Sequence, residues 1–173
     1  NHPDQYSMDV LAEILGRGVN PMLNTALRGR IDLVNTLSMD YTAYRYAGAI
    51  IISLTLEPKN MGAAKRALFN FLKETNNMNY STMDYIGEEQ IYALDYLGSA
   101  KNQIKFRFHQ AFEKGLNLAN SLAVDMLLNE NKERKSYLEN ISRISSTDLR
   151  KAAREYLNKG RFVMVSILPK KKK

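Results

Sequence analysis

Few residues in this chain are of types that carry out covalent or metal chemistry. Histidine occurs at His2 and His109 only. Neither has a second histidine one helical turn away, so no H-E-x-x-H or H-x-x-E-H zinc helix can be built from them. His109, in "KFRFHQAF", reads as a structural or solvated side chain on a helix flank. There is no cysteine, which excludes a disulfide framework, thiol catalysis and Cys-ligated metal while leaving the redox compartment open. No G-x-S-x-G elbow is present, and a serine nucleophile would need a placed histidine. "LGRGVNP" has two glycines but lacks the preceding strand and following Lys of a phosphate loop. The adjacent acids Glu88 and Glu89 open an expected helix, where the helix dipole favours them. What remains is Arg28 with Asn35 seven residues on, in "LRGRIDLVN", and a cluster of tyrosines, Tyr41, Tyr44 and Tyr46, with Arg45 among them. The Arg28 and Asn35 side chains can both donate hydrogen bonds. The tyrosines suit core, rim or peptide contact.

These residues are positioned by elements with legible periods. Met8, Leu11, Ala12 and Leu15 give "PDQYSMDVLAEILGRG" one apolar helical face. "NPMLNTALRGR" predicts a second, short helix with Asn20 as N-cap, Pro21 at its first position and Gly29 at its end. The period then changes to alternation from Leu33 to Ser38 and from Ala47 to Leu56. Ile50, Ile52, Leu54 and Leu56 point one way, so an antiparallel hairpin joined through "MDYTAYRY" is expected. A helix returns with Ala64, Ala67, Leu68, Phe71 and Leu72 in one stripe. "NNMNYSTMDYIG" reads as a loop or insertion. A long helix is expected from about Glu88 to Glu113, with Leu94, Leu97, Ile104, Phe108 and Ala111 inward and a kink or close contact at Gly98. Two further helices precede "SSTDLRKAAREYLNKG", where Ser145 or Ser146 caps and Asp148 occupies the first turn. "RFVMVSILP" then reads as a terminal strand buried on both faces.

The 173 residues suit one domain large enough to bury a core. The order of elements predicts an α+β class: an antiparallel sheet with helices packed mainly on one face. Residues 1–169 form this single unit, 76–95 an insertion or long loop, and 170–173 a basic tail. Four of the seven net positive charges lie in Lys170–Lys173, leaving +3. The rest are mixed in sign, so no nucleic-acid partner is expected. No apolar run approaches the roughly 18 to 20 residues of a membrane span. The opening "NHPDQYSMDV" has no initiator Met and reads as a fragment of a longer polypeptide. It leaves the compartment open, with a periplasmic or other extracytoplasmic one preferred.

Four stretches together resemble one family. "HPDQYSMDVLAEILGRG" is similar to the "hPDxxALdVLxxiLGgG" opening of the second subdomain in the pitrilysin, or insulinase-like, zinc peptidases, which include processing-peptidase and respiratory-complex core subunits. "LNTALRGRIDLVNTLSMDYTAYRYAGAIIISLTLEP" resembles the segment that follows it. "GSAKNQIKFRF" resembles the family's "e-r-A-K-n-q-l" helix, and "ISSTDLRKAAREYLNKGRFVMVSILP" its ending. The stretch "NNMNYSTMDYIGEEQIYALDYL" departs from the pattern by its length.

The resemblance implies paired subdomains enclosing a chamber, with zinc held on an H-x-x-E-H helix of another subdomain. No zinc is implied for this chain, only for its parent. The implied function is a non-catalytic subdomain that lines the chamber and positions peptide, with Tyr41, Tyr44 and Arg45 as contact candidates. Its implied partners are a zinc-bearing subdomain of the same or a partner chain, a peptide substrate, and further copies in a homo- or hetero-oligomer. In its complementing half the family places an Arg and a Tyr seven residues apart to stabilise the oxyanion. Here Arg28 keeps the first place and Asn35 stands in the second, so the pair is expected to be structural. The alternatives are a scaffolding subunit of the same family and an unrelated basic module.

Overall fold

The computed structural model describes residues 2, 4–18, 20–29, 32–43, 47–81, 83–86, 91–113, 115–128, 131–157, 160 and 162–168. Helix α1 (Asp4–Ala12) runs on into a wider π-helical turn, Glu13–Arg17. Its apolar face is the expected one: Met8, Leu11, Ala12 and Leu15 are all buried. Helix α2 (Met22–Asn24) likewise continues as a π-turn, Thr25–Gly29. Its N-cap is Pro21, not Asn20, and no side chain caps it. Leu23 and Leu27 hold this short element in the core instead.

The hairpin is formed by β1 (Thr36–Ala43) and β2 (Gly48–Thr55), paired antiparallel. Strand β1 starts and ends later than the alternation suggested, carrying the ladder through Asp40, Tyr41 and Thr42. The inward pairs are Leu37 with Leu54, Met39 with Ile52 and Tyr41 with Ile50, all packed on the core. The opposite face carries the exposed Ser38, Asp40, Thr42, Ile51 and Ser53. This is an α+β layer with one wet sheet face, which antiparallel sheets tolerate. Helix α3 (Met61–Glu74) follows, burying Ala64, Phe71 and Leu72.

Three expectations are corrected downstream. First, the segment read as loop and helix start contains a second antiparallel hairpin, β3 (Met83–Ile86) with β4 (Ile91–Leu94). Leu94 is a strand residue, and helix α4 begins only at Tyr96 and ends at Glu113. Glu88 and Glu89 lie outside the described residues. Second, Gly98 marks no kink. The Asp95 carboxylate accepts its N–H at 2.8 Å at the start of α4, and a Cβ there would come within 2.1 Å of Asp95 Oδ2. Asp95 is thus the cap the sequence reading missed.

Helices α5 (Gly115–Leu128), α6 (Asn131–Arg143) and α7 (Ser146–Tyr156) complete the described elements. Helix α7 opens with a capping box: Ser145 accepts from the Asp148 N–H, and Asp148 accepts from the Ser145 N–H. The third correction is the terminal strand. Residues 162–168 belong to no sheet, and Val163, Val165 and Ile167 are 92%, 81% and 93% exposed. Only Phe162 has a described ring partner, Phe69 of α3 at 4.8 Å. The apolar pattern was that of an interior strand, but an interior strand needs a neighbour on each side, and among the described residues no strand pairs with this segment. Pro169 and Lys170–Lys173 are outside the described residues.

Candidate functional site

Arg28 sits in the π-turn after α2 with its side chain exposed. Burial of Leu27 fixes the turn. Two backbone bonds close the loop after it, Asp32 N–H to the Arg28 carbonyl at 3.2 Å and Leu33 N–H to the Leu27 carbonyl at 3.1 Å. Asp32 has φ 43°, the left-handed conformation that this tight return requires and that Asp tolerates. Asn35 is exposed where β1 begins, its N–H donating to the Thr55 carbonyl at 2.7 Å. Arg28 and Asn35 thus flank one surface loop at the open end of the hairpin.

Tyr41 lies on the other end of β1. Six residues of strand separate it from Asn35, about 20 Å, so the two groups of candidates do not form one constellation. Its ring is half-buried against Gly48, where a Cβ would come within 3.0 Å of the ring. Burial raises the Tyr41 hydroxyl above its ordinary range, and the negative charges of Asp9 and Asp4 raise it further. Tyr41 is therefore a neutral, packed side chain at physiological pH. Tyr44, Arg45 and Tyr46 at the tip are outside the described residues.

The last residues of β1 are held from the π-turn that follows α1. Arg17 donates through Nη2 to the Tyr41 carbonyl at 2.6 Å and approaches the Asp40 carboxylate through Nε at 3.3 Å. One residue earlier, Gly16 lets the helix close on β1: a Cβ would stand 2.3 Å from Met39 Cβ and 2.9 Å from its carbonyl oxygen. The π-turn of Glu13–Arg17, with Gly18 N–H on the Glu13 carbonyl at 2.7 Å, brings the two together.

The polar centre of the molecule was missed in the sequence. Asp9, Glu13 and Arg17 stand four residues apart on α1 and its continuation, a spacing that puts them on one helix face. Glu13 is 1% exposed and pairs with Arg107 of α4, while its Oε1 has no described partner. Asp9 accepts from the Tyr137 hydroxyl of α6 at 3.0 Å. The four-residue spacing was the available signal. The apolar face of the same helix is the stronger pattern and drew the reading to itself.

Nothing in this geometry assembles a metal site. Among the described residues no three His, Asp or Glu side chains come together to hold an ion. His109 is exposed on α4, edge-on to Phe108 at 5.9 Å. His2 lies 3.4 Å from the Asp4 carboxylate, and both are solvated. The described side chains therefore offer no ligand set for a catalytic zinc.

Comparison with known proteins agrees with this. Residues 1–85 match the family described as the peptidase M16 inactive domain. No curated protein matches the chain. Among solved structures, the inactive peptidase domain of a proposed zinc protease from Bordetella parapertussis superposes with a TM-score of 0.74 at 16% identity, over 94% of this chain and 85% of that one. The peptidase M16 inactive domain from Pseudomonas fluorescens gives 0.70 at 16% identity, over 91% of this chain and 35% of its own. A protease from Helicobacter pylori gives 0.67 at 18% identity, over 91% and 36%. At these identities the likeness shows the fold. The chain spans little more than a third of the length of the last two proteins. Residues 1–85 thus match the peptidase M16 inactive domain, and over 91–94% of its length the chain has the fold of these two solved inactive domains.

Proposed function

We propose that this chain is the non-catalytic subdomain of a zinc metalloendopeptidase, lining a chamber and positioning peptide against a zinc-bearing subdomain of the same or a partner chain. The observation that carries the reading is the match of residues 1–85 to an inactive peptidase domain. Its side chains supply no zinc ligand set among the described residues. The hairpin offers the physical means: extended backbone at a sheet edge accepts a peptide strand, and side chains near the tip select it. Tyr41, Tyr44 and Arg45 are the contact candidates. Arg28 is the oxyanion candidate and, with Asn35 in the place of the family's Tyr, is structural in this reading.

The test is the reading frame that encodes this chain, together with any co-expressed relative. An H-x-x-E-H helix, with a glutamate some tens of residues beyond it, is expected in one of them. Absence of that motif from both would replace the peptidase reading with that of a scaffolding subunit.

A further inference from the structure

Helix α5, "GLNLANSLAVDMLL", has a single charged residue among its fourteen, Asp125. A helix apolar on every side is ordinarily buried on every side. Here α5 packs against α4 and α6, and its outer face is open. Leu116 and Met126 are 75% and 68% exposed, Leu122 is 40% exposed, and Ala119 and Ala123 are exposed between them. Leu116, Ala119, Ala123 and Met126 stand at i, i+3, i+7 and i+10. That spacing is the narrow seam of a helix pair, so the occupant it fits is another helix. Along the seam the sizes run large, small, small, large. Turned end for end about its midpoint, the seam matches itself: Leu116 falls opposite Met126, and Ala119 opposite Ala123. Asp125 lies off the seam spacing, so a second copy brings no like charge onto it, although the chain carries +7 overall.

We propose that this chain pairs with a second copy of itself through α5, the two helices antiparallel about a two-fold axis at the middle of the Leu116–Met126 stripe. A two-fold contact needs a surface that complements itself, and the order of sizes in this stripe provides one. The alanines at its centre let the helix axes approach to about 8 Å, the close end of the range for packed helices. Leu116 of one copy and Met126 of the other then fill each end. Phe106, on the α4 helix against which α5 packs, is a further apolar side chain left 66% exposed. The seam is less than two heptads long, and a standard interface uses about 20–30 residues a side. The pair is therefore a weak dimer, formed at about 100 μM chain and dissociated at about 1 μM.

The chain has no cysteine, so introduced thiols report alone. Within one helix, positions 116 and 126 are about 15 Å apart, too far for a disulfide. Across the antiparallel seam they are neighbours. Leu116→Cys and Met126→Cys, both at exposed sites, are purified separately, mixed at about 100 μM and oxidised. The mixture should give about tenfold more disulfide-linked dimer than either variant alone, because only the mixed pair meets the distance a disulfide needs. Adding Ala119→Glu to both variants buries charge at the centre of the seam and should cut that yield about tenfold. Equal linking of each variant with itself would mean parallel or random contact and overturn the proposal. No linking in the mixture would also overturn it, as self-association through residues 162–168 leaves these thiols apart, and the stripe would then fall to a helix of another sequence. Should the cysteine variants fail to fold, sedimentation of the wild-type chain at about 100 μM decides. A dimer that Ala119→Glu returns to monomer supports the pairing, and a wild-type monomer sinks it.

Discussion

At the residue scale, the chemistry of this chain is that of holding, and Glu13 shows it most clearly. A carboxylate 1% exposed, tied to one guanidinium, is costly to orphan and cheap to neutralise. Arg107→Ala should therefore destabilise the fold by about 3 kcal/mol, the scale for leaving a buried charge unpaired. Glu13→Gln should cost less than half as much. Urea unfolding of both variants checks this, and equal losses would mean that Arg107 contributes by packing alone. Arg28 is the opposite case. It is exposed beside the loop that leads into β1, whose far end holds Tyr41. In a parent peptidase of the proposed kind, Arg28→Ala should leave kcat nearly unchanged. A fall of a hundredfold or more, the scale of a lost oxyanion donor, would make it catalytic.

At the scale of elements, α1 with its π-turn packs against the hairpin, and their junction is Gly16 on Met39. An added methyl has no room there, with 2.3 Å to Met39 Cβ and 2.9 Å to its carbonyl. Gly16→Ala should cost about 2 kcal/mol through forced separation of helix and strand, read as a lowered unfolding midpoint. No loss would show that the π-turn yields freely. These elements were legible because burial imposes a clean period: α1, α3, α7 and the β1–β2 hairpin each have one apolar face. Strands β3 and β4 were not, for a physical reason. "MDYI" and "IYAL" are four residues each, too short to separate a period of 2 from one of 3.6. The paired acids beside them also imitate a helix start. Asp95 as the cap of α4 was missed because the expected helix ran straight through it. The candidate residues themselves were legible as types. Their separation along β1 was not, since spacing in sequence does not say which end of a hairpin a loop joins.

At the scale of the whole molecule, apolar surface is left uncovered. Val163, Val165 and Ile167 are nearly fully exposed, and Leu116 and Met126 of α5 are 75% and 68% exposed. No described helix is long and apolar enough to cross a membrane. In the terminal segment, strong β propensity without a sheet is a segment in search of a partner strand. Val165→Lys should change the unfolding free energy by less than about 0.5 kcal/mol, as for a surface position, while reducing self-association at high concentration. A loss of about 2 kcal/mol or more would place this segment inside the sheet after all.

In the proposed function this domain serves a zinc peptidase without itself holding the zinc. The most direct test is the metal content of the purified, dialysed chain, measured by elemental analysis alongside cleavage of an unstructured reporter peptide. The account predicts no stoichiometric zinc and no cleavage by the chain alone. About one tightly held zinc per chain, with peptide cleavage that a chelator abolishes, would contradict it.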